Sequence, residues 1–449
     1  MINKVLIANR GEIAVRIIRT CKELGIKTVA IYSEIDKDSL HVYMADESIC
    51  IGPNNVSKSY NNMDGIIYIA LKTKCDAIHP GFGFLSENAE FAKKCEENNI
   101  IFIGPRYEHI EKMGDKSKAR QTMINANVPV VPGSKGTIKD INDAIKIANT
   151  IGYPVLIKAC AGGGGKGMRV AYSQDDLIVN FNLARGEALS SFGNDEMYLE
   201  KYIENPRHIE VQIFGDSFGN VIHLGGRDCT MQRRNQKLIE ESLTSYLDDE
   251  TQNNLYTAAI NAAKSVGYLG AGTVEFIVDD NKNFYFIEMN TRIQVEHPVT
   301  EMITGIDLIK LQLLIASGNA IPYKQEDVMF NGHAIECRIN AEDPDNNFRP
   351  CPGKINYIHI PGGIGVRWDS YIYSGYTIPP VYDSMIGKLI IWGKNRVEAI
   401  NRMKRALDEL TIEGIITNKD FQKKLISCAE FNNDTHYTKF IENKYKVSN

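Results

Sequence analysis

Several absences narrow what this chain can be. No run of about 18 consecutive apolar residues occurs in its 449 positions, so no membrane-spanning helix is expected. The opening MINKVLIANRGE goes straight into a strand-like run and lacks a secretory-signal layout. None of the nine cysteines forms a Cys-x-x-Cys pair, which gives no zinc site and suits free thiols in a reducing cytosol. A cytoplasmic location is therefore expected. Positive charge is not in surplus: 51 Lys and Arg against 56 Asp and Glu leave a net charge of −5, which argues against nucleic-acid binding. The first β-to-α turn, NRGEIA, is not a G-x-G-x-x-G fingerprint, and the later run GGGGKG does not fit the Walker pattern G-x-x-x-x-G-K-[ST]. No internal repeat or low-complexity tract is present.

What is present is an ordinary globular composition, 43% hydrophobic and 24% charged. At ~150 residues per domain the length suits about three domains. Val5-Leu6-Ile7-Ala8 reads as a strand. Ile13, Ile17, Cys21 and Leu24 then recur at helical spacing up to Gly25, and Thr28 to Tyr32 reads as the next strand. Further βα units follow at HPGFGFLSE and FIGP, predicting a doubly wound α/β domain with its ligand side at the strand C-termini. The segment NVPVVPGSKGT marks a boundary near 127–137. Short strands with helices between them, a small α+β unit, are expected beyond it. A second αβ block is expected over 204–329, then antiparallel strands from Gly332 and a charged amphipathic helix from Arg396 to Leu410.

Five stretches bear chemistry. In EMNTRIQVEHPV, Glu288, Asn290, Arg292, Gln294 and Glu296 alternate with Met289, Thr291, Ile293 and Val295, predicting one strand with a polar face. The unbroken apolar run Phe284 to Ile287 before it suggests burial on both faces, so the polar row needs a purpose. In IKACAGGGGKGMRV, five glycines in six positions let the backbone approach an anion, with Lys158 and Lys166 nearby; a plain linker has the same composition. Glu275 and Glu288 fall on what reads as a hairpin, where two carboxylates directly opposite need a cation; with Asn290 they suit Mg²⁺. DCTMQRRNQK clusters Arg233, Arg234 and Lys237, as a solvated charged loop would. In GHAIECRINAED, Glu336 and Arg338 point the same way on a strand.

Together, in this order and at these spacings, LIANRGEIAVRIIR, HPGFGFLSENAEFA, FIGP, MGDK, GGGGKGM, EKYIENPRHIEVQ, DCTMQRRNQK, FIEMNTRIQVEHPVTE, GHAIECRINAED and YDSMIGKLI resemble the biotin carboxylase family of the ATP-grasp superfamily over nearly the whole chain. The resemblance implies a mixed α/β and α+β architecture. A Rossmann-like N-terminal domain would span 1–114. An ATP-grasp core would span 115–329, with a mobile glycine-rich lid over about 131–203. An antiparallel-sheet C-terminal domain would span 330–449. It implies a ligase that carboxylates biotin with bicarbonate and ATP through carboxyphosphate, using two Mg²⁺ or Mn²⁺ ions. This is the first half-reaction of an acyl-CoA carboxylase such as the acetyl-CoA carboxylase of fatty acid biosynthesis.

Carried over by position, Lys116, Lys158, Gly164, Gly165 and Lys166 would contact ATP phosphates. Glu200, Lys201, Tyr202 and Ile203 would line the adenine edge, with His208 near the ribose and Gln232 and Asn235 completing the nucleotide side. Glu275, Glu288 and Asn290 would hold metal. Lys237, Arg292, Gln294 and Val295 would hold bicarbonate, Glu296 would be the general base, and Arg338 would face the biotin ureido oxygen. The sequence departs from the family pattern at Ser242-Leu243-Thr244-Ser245, where Ala-Pro-Ala-Pro is usual. It departs again at Asn235, where histidine is common, and at Cys160-Ala161, where Ser-Gly is frequent. No Ala-Met-Lys-Met tetrapeptide occurs, so biotin is expected on a separate biotin carboxyl carrier protein, with carboxyltransferase subunits as further partners and a homodimer as the family's usual form. Another ATP-grasp ligase would not need Arg292, Glu296 and Arg338 together. A non-catalytic scaffold would be expected to have lost a metal ligand or the base.

Overall fold

The computed structural model describes residues 2–138, 140–160 and 167–445. Near the N-terminus, β1 (Lys4–Ile7), β2 (Lys27–Ser33), β3 (Glu47–Gly52), β4 (Ala77–His79) and β5 (Ile101–Phe102) form a parallel sheet in the order β3-β2-β1-β4-β5. β1 is central and covered on both faces, so Val5, Leu6 and Ile7 are all buried and its apolar run has no polar break. The helix Gly11–Glu23 turns Ile13, Ile17 and Cys21 inward, as their spacing predicts. Beyond the strand ends, the Asn9 amide nitrogen donates to the carbonyls of Pro80 and Phe82, both at 2.7 Å. Gly81 sits there at φ +64°, where a Cβ would lie 2.8 Å from that nitrogen. Only glycine closes this loop against Asn9 without strain.

The next unit is a three-stranded antiparallel sheet, β6 (Val155–Ala159), β7 (Met168–Ala171) and β8 (Met197–Lys201), in the order β7-β6-β8. Val155, Ile157, Phe181 and Leu199 form its core with the helices Ile141–Ile151 and Gln174–Phe192. Gly164, Gly165 and Lys166, expected at the phosphates, lie outside the described residues.

The largest sheet has eight strands. β9 (Arg207–Gly215), β10 (Val221–Arg233), β11 (Gln236–Ser242), β12 (Gly270–Val278), β13 (Phe284–Asn290) and β14 (His333–Asn340) are joined by the strands Met385–Gly393 and Val366–Ser370. The order is β13-β12-β9-β10-β11-β14, then Met385–Gly393, then Val366–Ser370. The strands after residue 330 are antiparallel, as expected, and they continue the preceding sheet through the β11–β14 pairing, in which Glu240 faces Glu336. The charged helix runs Arg396–Glu409 and buries Ala399, Met403 and Leu407.

One expectation is corrected. The strand read across Glu288 to Glu296 ends at Asn290, whose pairing with Thr273 is the last with β12. The Thr291 backbone N–H donates instead to Glu87 Oε1 at 3.0 Å, and Glu296 stands at the N-cap of the helix His297–Thr304, with Pro298 in its first turn. Pro298 lacks an N–H and fits a first helical turn far better than a central strand, so the polar row leaves the sheet before its end.

That helix lies over the sheet, packing Val299 and Ile303 on Ala334. Beneath its start, register partners place Glu240, Glu336, Arg338, Lys388 and Asp369 on one face of four adjacent strands. On the opposite face Glu241 binds His333 Nε2 at 2.8 Å and both ends of the Arg396 fork at 2.8 and 2.9 Å. Burial would raise the Glu241 pKa, but His333 and Arg396 outweigh it and hold it at about 2. A depressed carboxylate stabilises the fold above its ordinary value and loses that contribution as pH falls through the folded value. Glu241→Gln should therefore cost on the order of 3 kcal/mol at neutral pH. In urea titrations at a series of pH values, the deficit should shrink progressively below about pH 4.5.

Candidate active site

A cavity of about 1210 Å³ opens where the three sheets meet. The parallel sheet contributes the loops around Asn9 and Phe82 to Phe84. The three-stranded sheet contributes Lys158 and Glu200 with the following Lys201, Tyr202 and Ile203. The large sheet contributes His208, Gln232, Asn235, Lys237, Glu275, Glu288, Asn290 and Arg338, while Arg292, Gln294 and Val295 enter from the segment after β13 and Lys116 from the helix Lys116–Asn125. The sequence-predicted residues within the described part thus converge on one space, with one exception. Glu296 is fully buried and lies behind Lys237 and Arg338 rather than on the cavity wall.

At the β12–β13 end, Glu275 and Glu288 are direct cross-strand partners. Glu275 Oε1 accepts from Lys237 Nζ at 3.0 Å, Asn290 Nδ2 at 2.9 Å and Gln294 Nε2 at 3.0 Å, and its Oε2 is 3.0 Å from His208 Nε2. Burial would raise the Glu275 pKa, but Lys237 and His208 outweigh it and keep the group ionised. Glu288 goes the other way: burial and the Glu275 charge raise it, with Lys116 the strongest opposing charge. Among the described residues no hydrogen bond or ion pair engages the Glu288 carboxylate. Two facing carboxylates, one of them uncommitted, are a hard-oxygen donor set that fits Mg²⁺. The Asn290 side-chain oxygen Oδ1 accepts from Arg292 Nη2 at 2.9 Å and keeps a second lone pair that such an ion could share.

Beyond it, Arg292 is held from three sides. Its Nε donates to Glu87 Oε2 at 2.9 Å and its Nη1 to Gln294 Oε1 at 2.6 Å, besides the bond to Asn290. The chain no longer follows a strand here, yet these contacts keep residues 290, 292 and 294 together. Val295 is fixed through its carbonyl, which accepts from the buried Lys388 Nζ at 2.6 Å.

The centre is Lys237. Its ammonium lies 2.6 Å from Glu210, 3.0 Å from Glu275 and 2.7 Å from Glu296. Burial would favour losing its proton, but the carboxylates outweigh this and hold the pKa well above the ordinary lysine value. Glu296 Oε2 also binds Arg338 Nη2 at 3.0 Å. Burial would raise the Glu296 carboxyl, but Lys237, Arg338 and Arg227 hold it well below the usual range. At the far side, Lys158 Nζ binds Glu200 Oε2 at 2.6 Å, beside Arg120. Lys201 turns its ammonium to the carbonyls of Gly152 and Tyr153, and the Tyr202 hydroxyl accepts from Lys439.

Sequence reasoning missed Glu210, Glu240, Glu87, Arg227 and Lys388 as members of the site. Glu210 and Arg227 are fully buried and bonded at 2.5 Å. Three of the five lie within recognised stretches, Glu87 in HPGFGFLSENAEFA, Glu210 in RHIEVQ and Lys388 in YDSMIGKLI, and for the last two a charged residue in an apolar strand was the available signal.

Models of three domain families match the chain in succession. Biotin carboxylase, N-terminal domain, matches residues 1–110. Carbamoyl-phosphate synthase L chain, ATP binding domain, matches 115–324. Biotin carboxylase C-terminal domain matches 336–443. Biotin carboxylase 1 of Bacillus subtilis is 59% identical over 443 residues, covering 98% of each chain. Biotin carboxylase of Nostoc sp. is 54% identical, covering 99% of each. Among solved structures, a Campylobacter jejuni biotin carboxylase in complex with β,γ-ATP is similar at a TM-score of 0.95 and 54% identity, with 99% of both chains covered. The biotin carboxylase domain dimer of Hydrogenobacter thermophilus 2-oxoglutarate carboxylase, in complex with MgADP, ADP and bicarbonate, is similar at 0.94 and 51%, covering all of this chain and 98% of the other. With an ATP-grasp core, flanking domains and full-length relatives in agreement, the chain belongs to the biotin carboxylase family.

Proposed function

We propose that this chain carboxylates biotin, borne by a separate carrier protein, using bicarbonate and ATP. The observation that carries the reading is the placement of Glu296: an ionised, buried carboxylate between Lys237 and Arg338, at the end of the segment that offers Arg292 and Gln294, beside the Glu275–Glu288 pair.

Bicarbonate attacking the γ-phosphorus is one anion approaching another, so catalysis is charge neutralisation and positioning. Lys116 and Lys158 supply positive charge on the nucleotide side. Mg²⁺, held by Glu275 and Glu288, would neutralise the phosphates further. The Arg292 fork, braced by Glu87, holds the planar anion. A second anion beside Lys237 weakens that lysine's hold on Glu296 and raises the carboxylate's proton affinity, so Glu296 takes the bicarbonate proton as the oxygen–phosphorus bond forms and ADP leaves. Carboxyphosphate and ADP result. In the second step the biotin ureido nitrogen loses its proton to the departing phosphate. Arg338 stabilises the developing negative charge on the ureido oxygen, and the carboxyl group passes from phosphate to nitrogen.

The phosphate lysines, the adenine edge at Glu200 to Ile203, His208 near the ribose, and Gln232 and Asn235 at the nucleotide belong to the same proposal. So do residues 1–114, 115–329 and 330–449 as its three domains. The chain would act in the cytoplasm as a homodimer with a biotin carboxyl carrier protein and carboxyltransferase subunits. Among the described residues no helix is long and apolar enough to cross a membrane. ATP cleavage should require bicarbonate and rise when free biotin is added. Cleavage indifferent to both would identify a different ligase, and no cleavage would leave a binding protein.

A further inference from the structure

Behind Arg338 lies a pair of acids that the reaction above does not use. Glu240 on β11 and Glu336 on β14 are direct register partners, so both side chains leave the same face of the sheet, and both are fully buried. Directly opposed β-carbons in such a pair are about 4.5–5.5 Å apart. Glu240 Oε1 accepts from Arg338 Nε at 2.6 Å, but Glu240 Oε2 and both oxygens of Glu336 are buried with no hydrogen-bond partner. Two adjacent buried carboxylates with three orphaned oxygens cannot both be ionised at reasonable cost. A single proton between them satisfies at least two of those oxygens.

The surroundings set the sign. Glu336 faces Glu240 from β11, Arg338 on its own strand, Lys388 from Met385–Gly393 and Glu296 from the helix start. Glu240 faces Arg338, Glu296 and Lys237, with Cys229 nearby on β10. Lys388 is already bound to Glu12 at 3.1 Å and to the Val295 carbonyl. Burial raises both acids: Glu336 well above the ordinary carboxylate value, and Glu240, with Arg338 opposing, to about 7.

We propose that Glu336 is a positioning residue for the carboxylation step: it shares one proton with Glu240, and the single negative charge left on the pair holds Arg338 beside Glu296, where the biotin oxygen is met. Adding a second proton releases Arg338 from Glu240. Removing the shared one puts two charges behind Arg338 and draws it back from the cavity. Biotin-dependent turnover therefore needs the singly protonated pair, and its pH profile is bell-shaped with both limbs belonging to the pair.

This rests on the biotin carboxylase reading, which the unchanged protein tests separately through biotin-stimulated ATP cleavage. Glu336→Gln keeps the shape and a hydrogen-bond donor but cannot lose its charge-neutral state. The expected result is that the alkaline limb of kcat/KM for biotin moves to higher pH by a unit or more while the acid limb stays. The infrared difference spectrum at neutral pH should also lose a protonated-carboxyl C=O band. Superimposable profiles, or no lost carboxyl band, would overturn the proposal. If Glu336→Gln does not fold, Glu240→Gln serves: it removes the Arg338 contact and leaves a single titrating acid, so kcat/KM for biotin should fall throughout and the bell should reduce to one limb, and a bell with both limbs unmoved would equally refute the shared proton.

Discussion

Glu296→Gln should lower bicarbonate-dependent ATP cleavage by about 10²–10⁴-fold, the range a positioned general base contributes. The substitution keeps side-chain volume and removes only the charge and the proton-accepting capacity. Glu296 is fully buried and contacts the site through Lys237 at 2.7 Å and Arg338 at 3.0 Å. Its depressed pKa makes it a weak base at rest, and that is useful: it remains unprotonated until a second anion competes for Lys237. The amide cannot take the proton whatever the competition. Nucleotide binding should persist, because Lys116, Lys158 and the Glu275–Glu288 pair are untouched. Titration of MgATP against the variant, beside its turnover with bicarbonate, separates the two effects. Near-normal turnover would remove Glu296 from the role of base.

Lys237→Met should give the largest loss of stability, about 3–5 kcal/mol, with loss of turnover. Removing one member of a buried ionic cluster costs this much because its partners stay buried and charged. Here the partners are Glu210, Glu275 and Glu296, each within 3.0 Å of the ammonium and each almost fully buried. Glu210 keeps Arg227, Glu275 keeps His208 and Glu296 keeps Arg338, which limits the damage. The sign of the pH response follows. Without Lys237 the depressed carboxyl pKa values of Glu275 and Glu296 rise towards their unfolded values, so the deficit is greatest at neutral pH and shrinks as acid protonates them. Urea unfolding of both proteins at a series of pH values from 7 down to about 3.5 measures this. A deficit independent of pH would mean that Lys237 contributes by packing alone.

Much of this site is legible in the sequence, and the parts that are not share a cause. The Glu275–Glu288 opposition could be read because a tight hairpin makes neighbours of strands that are consecutive in the chain. The partners of Glu240 and Glu87 could not: β14 joins β11 across nearly a hundred residues, and Glu87 meets Thr291 and Arg292 across more than two hundred. Alternation from Glu288 to Glu296 was a good guide to which side chains gather and a poor guide to backbone form. The chain leaves β12 after Asn290, and side-chain bonds among Asn290, Arg292 and Gln294 take over from the ladder. The fold class was accessible because β1 and its helix show unmixed periodicities, strand then helix, that tertiary contacts reinforce. Continuity of the large sheet beyond residue 330 has no local signature: each strand is bounded by its own turn signals, and pairing between distant strands is decided by shape and burial.

The proposed roles of Arg292, the Glu275–Glu288 pair and Glu296 require that a bicarbonate oxygen become bonded to the γ-phosphorus. Turnover with bicarbonate labelled with heavy oxygen, followed by mass analysis of the released phosphate, tests this directly. One labelled oxygen per phosphate is expected from the unchanged protein, with the yield falling together with turnover in Glu296→Gln. Phosphate whose new oxygen comes only from water would contradict it, since ATP would then be cleaved by hydrolysis and the cluster at Arg292, Lys237 and Glu296 would not be activating bicarbonate.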